Sequence, residues 1–212
     1  MENKKEITLS KLKEGIHKGL NNAISLYKEA ELLEKNHYRA RAYTLYHIAL
    51  EEASKVEHLV FKSPNIFARK EKIFFSDISK FFTLHKSKLK AFAYNSKMTK
   101  EERNLIESDS SGWRKYFTSK QNDLYEQMNR NKNNSLYLSY DEVMGKFISP
   151  IDLIDKETLL AIKNDSGMII SKVVKFESMF NGIFDSKEAQ DKWLEFEKRI
   201  TENPMEFKEF LK

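Results

Sequence analysis

The chain has 212 residues, 40% of them apolar and 33% charged, with a formal net charge of +5. This length predicts one domain core with appendages, and the slight basic excess points weakly toward an anionic partner. The absence of cysteine excludes disulfides, thiolate metal sites and cysteine nucleophiles, and fits a reducing compartment.

The opening residues Met1-Glu2-Asn3-Lys4-Lys5-Glu6 are charged, and no apolar run of the kind a signal peptide needs follows them. No segment approaches the roughly 20 apolar residues of a membrane span. The expectation is a soluble, cytoplasmic protein without a membrane partner. From Leu9 to about Asn36, Leu12, Ile16, Leu20, Ala23, Ile24, Tyr27, Ala30 and Leu33 recur at intervals of three and four, the period of an amphipathic helix. Asn36-His37-Tyr38 ends it. A second helix from Arg39 follows so closely that the two must form an antiparallel hairpin, and Ser63-Pro64-Asn65 is expected to close it.

A third helix is predicted from about Ile66 to Tyr94. Thr99-Lys100-Glu101-Glu102 has capping-box spacing and marks a short helix, while Asp109-Ser110-Ser111-Gly112 reads as a break. Trp113, Phe117, Leu124 and Met128 keep a helical period to Asn129, and the polar run Asn129 to Ser135 reads as a loop. Leu136 to Tyr140 and Lys146 to Ser149, joined through Gly145, predict a β-hairpin, the one strand candidate. A long helix then spans about Asp155 to Phe180. Asp185-Ser186-Lys187-Glu188 caps a last helix with the stripe Trp193, Phe196, Ile200. The expected architecture is an all-α, antiparallel helical bundle over 1–184 with a loop and hairpin excursion at 109–150. A C-terminal helical appendage covers 185–212.

Ionisable residues crowd the second helix. At about 100° per residue, positions eleven apart fall within about 20° of each other, so Arg41, Glu52 and neighbouring Lys55 share a face. His47, Glu51 and His58 form another line. On the third helix Asp77, Phe81, His85 and Lys88 share a stripe. Packed together, the stripes would place carboxylate, lysine and imidazole in one desolvated crevice, which is what metal-free cleavage of RNA asks for. Histidine can move the 2′-hydroxyl proton, lysine can stabilise charge on phosphorus, and a carboxylate can fix the imidazole tautomer. On this reading His85 is the acid/base, Lys88 and Lys55 stabilise phosphate, and Glu52 orients, with Glu51 able to exchange roles. Arg41, Lys80, Lys86, Arg130 and Lys132 are the candidate RNA-binding cations.

Simpler readings compete at each point. Glu-Glu-x-x-Lys is often a solvated ion pair, a histidine among phenylalanines is often a packing residue, and Lys86, Lys88 and Lys90 can be plain charged surface. Metal catalysis is disfavoured because no HExxH, HD pair or carboxylate cluster occurs and the five histidines are scattered. No metal and no cofactor are expected. A nucleophile elbow and a phosphate loop are also absent.

The ordered set Gly15-Ile16-x-x-Gly19-Leu20-x-x-Ala23, Ala30-Glu31-Leu32-Leu33, Ala49-Leu50-Glu51-Glu52-Ala53-Ser54-Lys55 and His85-Lys86-Ser87-Lys88 resembles the AbiV family of bacterial abortive infection proteins, in the HEPN superfamily. Leu136 to Tyr140 ahead of Pro150 extends the similarity, which covers most of Leu9 to Phe180. The resemblance implies a HEPN-like bundle that forms a homodimer with its cleft at the subunit junction. It also implies a metal-independent endoribonuclease that arrests growth or translation in phage-infected cells. HEPN ribonucleases commonly carry an arginine and, a few residues on, a histidine. Arg41 to His47 matches literally, whereas Lys80 and His85 match by position. The alternative function is a non-catalytic RNA- or protein-binding module. An unregulated ribonuclease would kill its host, so a phage-encoded trigger protein is an expected partner, with 129–150 or the last helix as its landing place.

Overall fold

The computed structural model describes residues 5–67, 69–83, 110–183 and 186–202. Helix dominates: α1 (Leu9–Lys35), α2 (Arg39–Phe67), α3 (Phe75–Thr83), α4 (Ser110–Leu136), α5 (Pro150–Leu153), α6 (Lys156–Ile183) and α7 (Lys187–Glu202). Two small antiparallel pairs accompany them, β1 (Glu6–Ile7) with β2 (Ile73–Phe74), and β3 (Ser139–Asp141) with β4 (Lys146–Ile148). The all-α bundle with a minor hairpin expected from the periodicity is the architecture observed.

The α1–α2 hairpin is the centre of the fold. Thr8 starts α1 by accepting a hydrogen bond from the Lys11 amide at 3.3 Å, and Asn36 ends it by donating its side-chain amide to the Leu32 carbonyl at 2.8 Å. His37, in a left-handed conformation with φ 65°, turns the chain. Partners then run in opposite directions: Gly15 faces Leu59, Gly19 faces Val56, Asn22 bonds Glu52, and the Tyr27 ring meets Tyr46 edge-on at 5.0 Å. The stripe Leu12, Ile16, Leu20, Ala23 and Ala30 is buried against Tyr43, Tyr46, Leu50, Ala53, Val56 and Val60.

Two further helices close this core. Lys163 and Lys172 of α6 reach Glu34 and Glu57, and Phe176 meets Phe61 at 5.7 Å, so α6 runs parallel to α2 and antiparallel to α1. Ser135 and Lys132 of α4 meet Thr44 and Glu51, which sets α4 antiparallel to α2. α7 packs against α6 and α2.

Four local expectations are corrected. α2 passes through Pro64 and ends at Phe67, because the Val60 carbonyl that the missing proline N–H would have bonded instead accepts the Ser63 hydroxyl at 2.5 Å. The stretch after it is not one helix. Ile73–Phe74 pairs with Glu6–Ile7, a second strand pair that the sequence did not signal, and Asp77 then starts α3 by accepting the Phe74 amide at 2.8 Å. The polar run Asn129 to Ser135 is the last part of α4 rather than a loop, since it has buried partners on α2. The break expected at Asp109 to Gly112 gives way to helix from Ser110. The helix expected at Thr99 to Glu102 lies outside the described residues, as do the side chains of Trp193, Phe196 and Ile200.

Candidate functional site

The two polar faces of α2 have different surroundings. On its inner side Thr44, His47, Glu51, Ser54, Glu57 and Ser63 are all buried. His47 is 0% and Glu51 4% exposed, and the His47 Nε2 lies 3.1 Å from Glu51 Oε1. Lys132 of α4 approaches the same oxygen at 3.9 Å. Tyr43, whose ring lies 6.2 Å from that of His47, is pushed up to about 12 by burial, with a hydrogen bond to Asn131 acting the other way. Thr44 and Ser135 share a hydroxyl contact of 2.7 Å. Further along, Glu57 pairs with Lys172 at 2.5 Å, and the lysine Nζ stands 5.9 Å from the ring centre of Phe61 and 6.0 Å from that of Phe176. These groups are desolvated, and the two carboxylates among them are paired, Glu51 with His47 and Lys132 and Glu57 with Lys172, the condition under which buried charge is tolerated.

The opposite side carries Glu52 and Lys55 one turn apart. They are in direct ion-pair contact, with side chains 20% and 17% exposed. The Asn22 side chain on α1 donates to Glu52 at 3.2 Å. This carboxylate is therefore fixed from two helices while remaining open to water. Arg41 stands at the start of α2, exposed, and Arg130 is exposed on α4.

The structure thus brings Glu52 and Lys55 together and separates them from Glu51. Adjacent residues on a helix point about 100° apart, so Glu51 faces inward when Glu52 faces out. Lys132 likewise turns inward to Glu51 instead of presenting an open cation. His47, the literal histidine match, is sealed in the core. His85, Lys86 and Lys88 lie outside the described residues; Lys80 stands in α3, and nothing of its side chain is described. Sequence reasoning missed the Asn22 contact with Glu52, whose only signal was the antiparallel register of the hairpin. It also missed the role of Lys172, an α6 lysine that its own helix gives no reason to place beside Glu57.

Among the described residues, no helix is long and apolar enough to cross a membrane. No curated protein and no solved structure matches the chain. A family model described as AbiV, of the HEPN group, matches residues 11–169, a span that takes in α1, α2, α4, the β3–β4 hairpin and half of α6. That coverage is most of the chain, and the chain belongs to the AbiV family of abortive-infection HEPN proteins.

Proposed function

We propose that the protein is a metal-independent endoribonuclease that acts as an antiphage effector. The observation that supports this most is the Glu52–Lys55 pair, held half-open on α2 by Asn22, in a chain of the AbiV family. In this reading His85 removes the proton from a ribose 2′-hydroxyl. The freed oxygen attacks the adjacent phosphorus, the P–O5′ bond breaks, and the leaving 5′-oxygen takes up a proton. The products are a 2′,3′-cyclic phosphate and a 5′-hydroxyl. Lys55 and Lys88 stabilise the charge that gathers on the phosphoryl oxygens, and Glu52 orients the reacting groups. Arg41 and Arg130, with Lys80 and Lys86, hold the RNA backbone. Glu51 and Lys132 serve the fold instead, since both turn into the core. The working unit is a homodimer, and a phage protein releases its activity.

The purified full chain, incubated with total cellular RNA in EDTA, is expected to give discrete fragments ending in 2′,3′-cyclic phosphate. His85→Ala is expected to abolish them, and Lys55→Ala to slow cutting by about 10²-fold or more, as loss of a transition-state charge donor does. Full activity in the His85→Ala variant would overturn this site.

One observation favours a second reading, a non-catalytic binding module. Tyr140 and Phe147 stack edge-on at 5.0 Å on the β3–β4 hairpin yet are more than half exposed, and Val143 at its tip is 97% exposed. Such an apolar patch is typical of a protein-binding surface. RNA binding without any cleavage would decide for this reading.

A further inference from the structure

The turn between α1 and α2, the end of α4 and the start of α5 enclose an open cleft of about 410 Å³, with His37, Tyr38, Arg41, Ser135 and Ser149 in its walls. Its size falls in the range of about 300–1,000 Å³ seen for small-ligand sites.

Two of these side chains carry the argument. Arg41 is exposed, and its side chain makes no hydrogen bond or ion pair with any described residue. The contrast with Arg39 is direct, because Arg39 spends its guanidinium on the carbonyls of Ile151, at 2.7 Å, and Ile154. Lys132, close to Ser135 in sequence, is spent on Glu51. Arg41 therefore brings a permanent charge and a full set of unused donors into the cleft, in the fork geometry that suits a phosphate. Three residues before it, Tyr38 leaves a ring 58% exposed in the same cleft. Asp152, the residue after the lining Ile151, is already occupied: it accepts the Ser149 hydroxyl at 2.7 Å and the Ser149 amide at 3.2 Å, and it feels Lys146 and Arg39. What the cleft offers a ligand is thus one cation beside one flat aromatic face. A phosphate joined to a planar base answers both, whereas an acidic peptide needs only the cation.

We propose that this cleft binds one nucleotide unit, with its phosphate on Arg41 and its base against Tyr38. It lies about 16 Å from Glu52 along α2, at 1.5 Å of rise per residue. The inference rests on the RNA-binding part of the reading above and deepens it by giving the strand a hold away from the bond that is cut.

The test is a fluorescence-anisotropy titration of the full chain with a labelled 2′-O-methyl uridine tetramer, which lacks the hydroxyl needed for cleavage. Uridine monophosphate serves as competitor. Arg41→Glu is expected to weaken tetramer binding about tenfold or more and to lower the salt slope by about one. Tyr38→Ala is expected to weaken it several-fold, and Tyr38→Trp to keep it. Both side chains are exposed, so the variants should fold, which an unchanged thermal melt checks. Competition by the monophosphate assigns the cleft to free nucleotides as well; binding of the tetramer alone assigns it to an RNA strand. Wild-type affinity in both Arg41→Glu and Tyr38→Ala overturns the proposal, as does Arg41-dependent binding of a labelled acidic heptapeptide with none of the tetramer. The two readings fail separately. Cutting that requires His85 with tetramer binding indifferent to Arg41 removes the cleft alone, and Arg41-dependent binding without any cutting removes the ribonuclease alone.

Discussion

His58 on α2 and Asp165 on α6 change their proton affinity in opposite senses when the chain folds. Burial, with the nearby Lys62 charge adding to it, lowers His58 from 6.5 to about 4. Burial alone raises Asp165 from 3.8 to about 6. Between those two values for His58 the unfolded chain binds the proton more readily, so stability falls as pH drops from about 6.5 to 4. For Asp165 the folded chain binds it more readily, so stability rises as pH drops from about 6 to 3.8. Over most of the acid range the two oppose each other. Urea denaturation from pH 7 to 4 should therefore show a steeper acid loss in Asp165→Asn than in wild type, and a shallower one in His58→Gln. Parallel pH profiles for all three proteins would refute both assignments. At this same scale, Glu51 and Glu52 show how neighbours in sequence take different tasks: one is locked with His47 and Lys132, the other stays half-open with Lys55.

At the scale of the element, the α1–α2 contact depends on a glycine. A Cβ at Gly19 would stand 2.6 Å from the Val56 Cγ2, and Val56 is itself buried. Gly15, one turn earlier, would meet only the Leu59 Cδ1 at 3.4 Å, close to an ordinary contact. Alanine gains about 1 kcal/mol over glycine in a helix interior, while overpacking costs about 1–3 kcal/mol. Gly19→Ala is thus expected to destabilise by up to about 2 kcal/mol once propensity is offset, and Gly15→Ala to be neutral or stabilising by up to about 1 kcal/mol. Chemical denaturation of the two variants checks the order; equal midpoints would show that α1 and α2 can shift apart at no cost. The hairpin β3–β4 is held differently, by its turn: the Asp141 carboxylate accepts the amides of Val143 and Met144, each at 2.9 Å, and Gly145 takes φ 63°. The turn thus sets the register in which Tyr140 pairs with Phe147 and their rings meet, though both remain exposed.

For the whole molecule, buried ion pairs decide how the outer helices sit on α2. Lys172 ties α6 to Glu57, and Lys132 ties α4 toward Glu51. Removing one partner of a buried pair leaves a charge in a low-dielectric site, at about 3–5 kcal/mol. Lys172→Met is expected to lose that much in urea denaturation, a large part of the roughly 5–15 kcal/mol that holds a domain folded. Replacing both partners, Glu57→Leu with Lys172→Met, should recover most of it. A Lys172→Met variant as stable as wild type would show that the pair adds nothing to the docking of α6.

The sequence by itself determined the helical class, the α1–α2 hairpin, the long α6 and the position of the β3–β4 turn, because apolar period, short connections and turn residues are local properties of the backbone. It also separated the Arg41, Glu52, Lys55 face of α2 from the His47, Glu51 face. Only the tertiary structure decided which face is sealed, because desolvation comes from partners far along the chain, Lys132 and Ser135 for one end and Lys172 for the other. The same cause explains the misread segments. Asn129 to Ser135 looks like a loop until Thr44 and Glu51 supply its partners, and Ile73–Phe74 has no reason to be a strand until Glu6–Ile7 lies beside it. The cleft at Arg41 and Tyr38 belongs with these, since its walls come from three parts of the chain that meet only when the bundle closes.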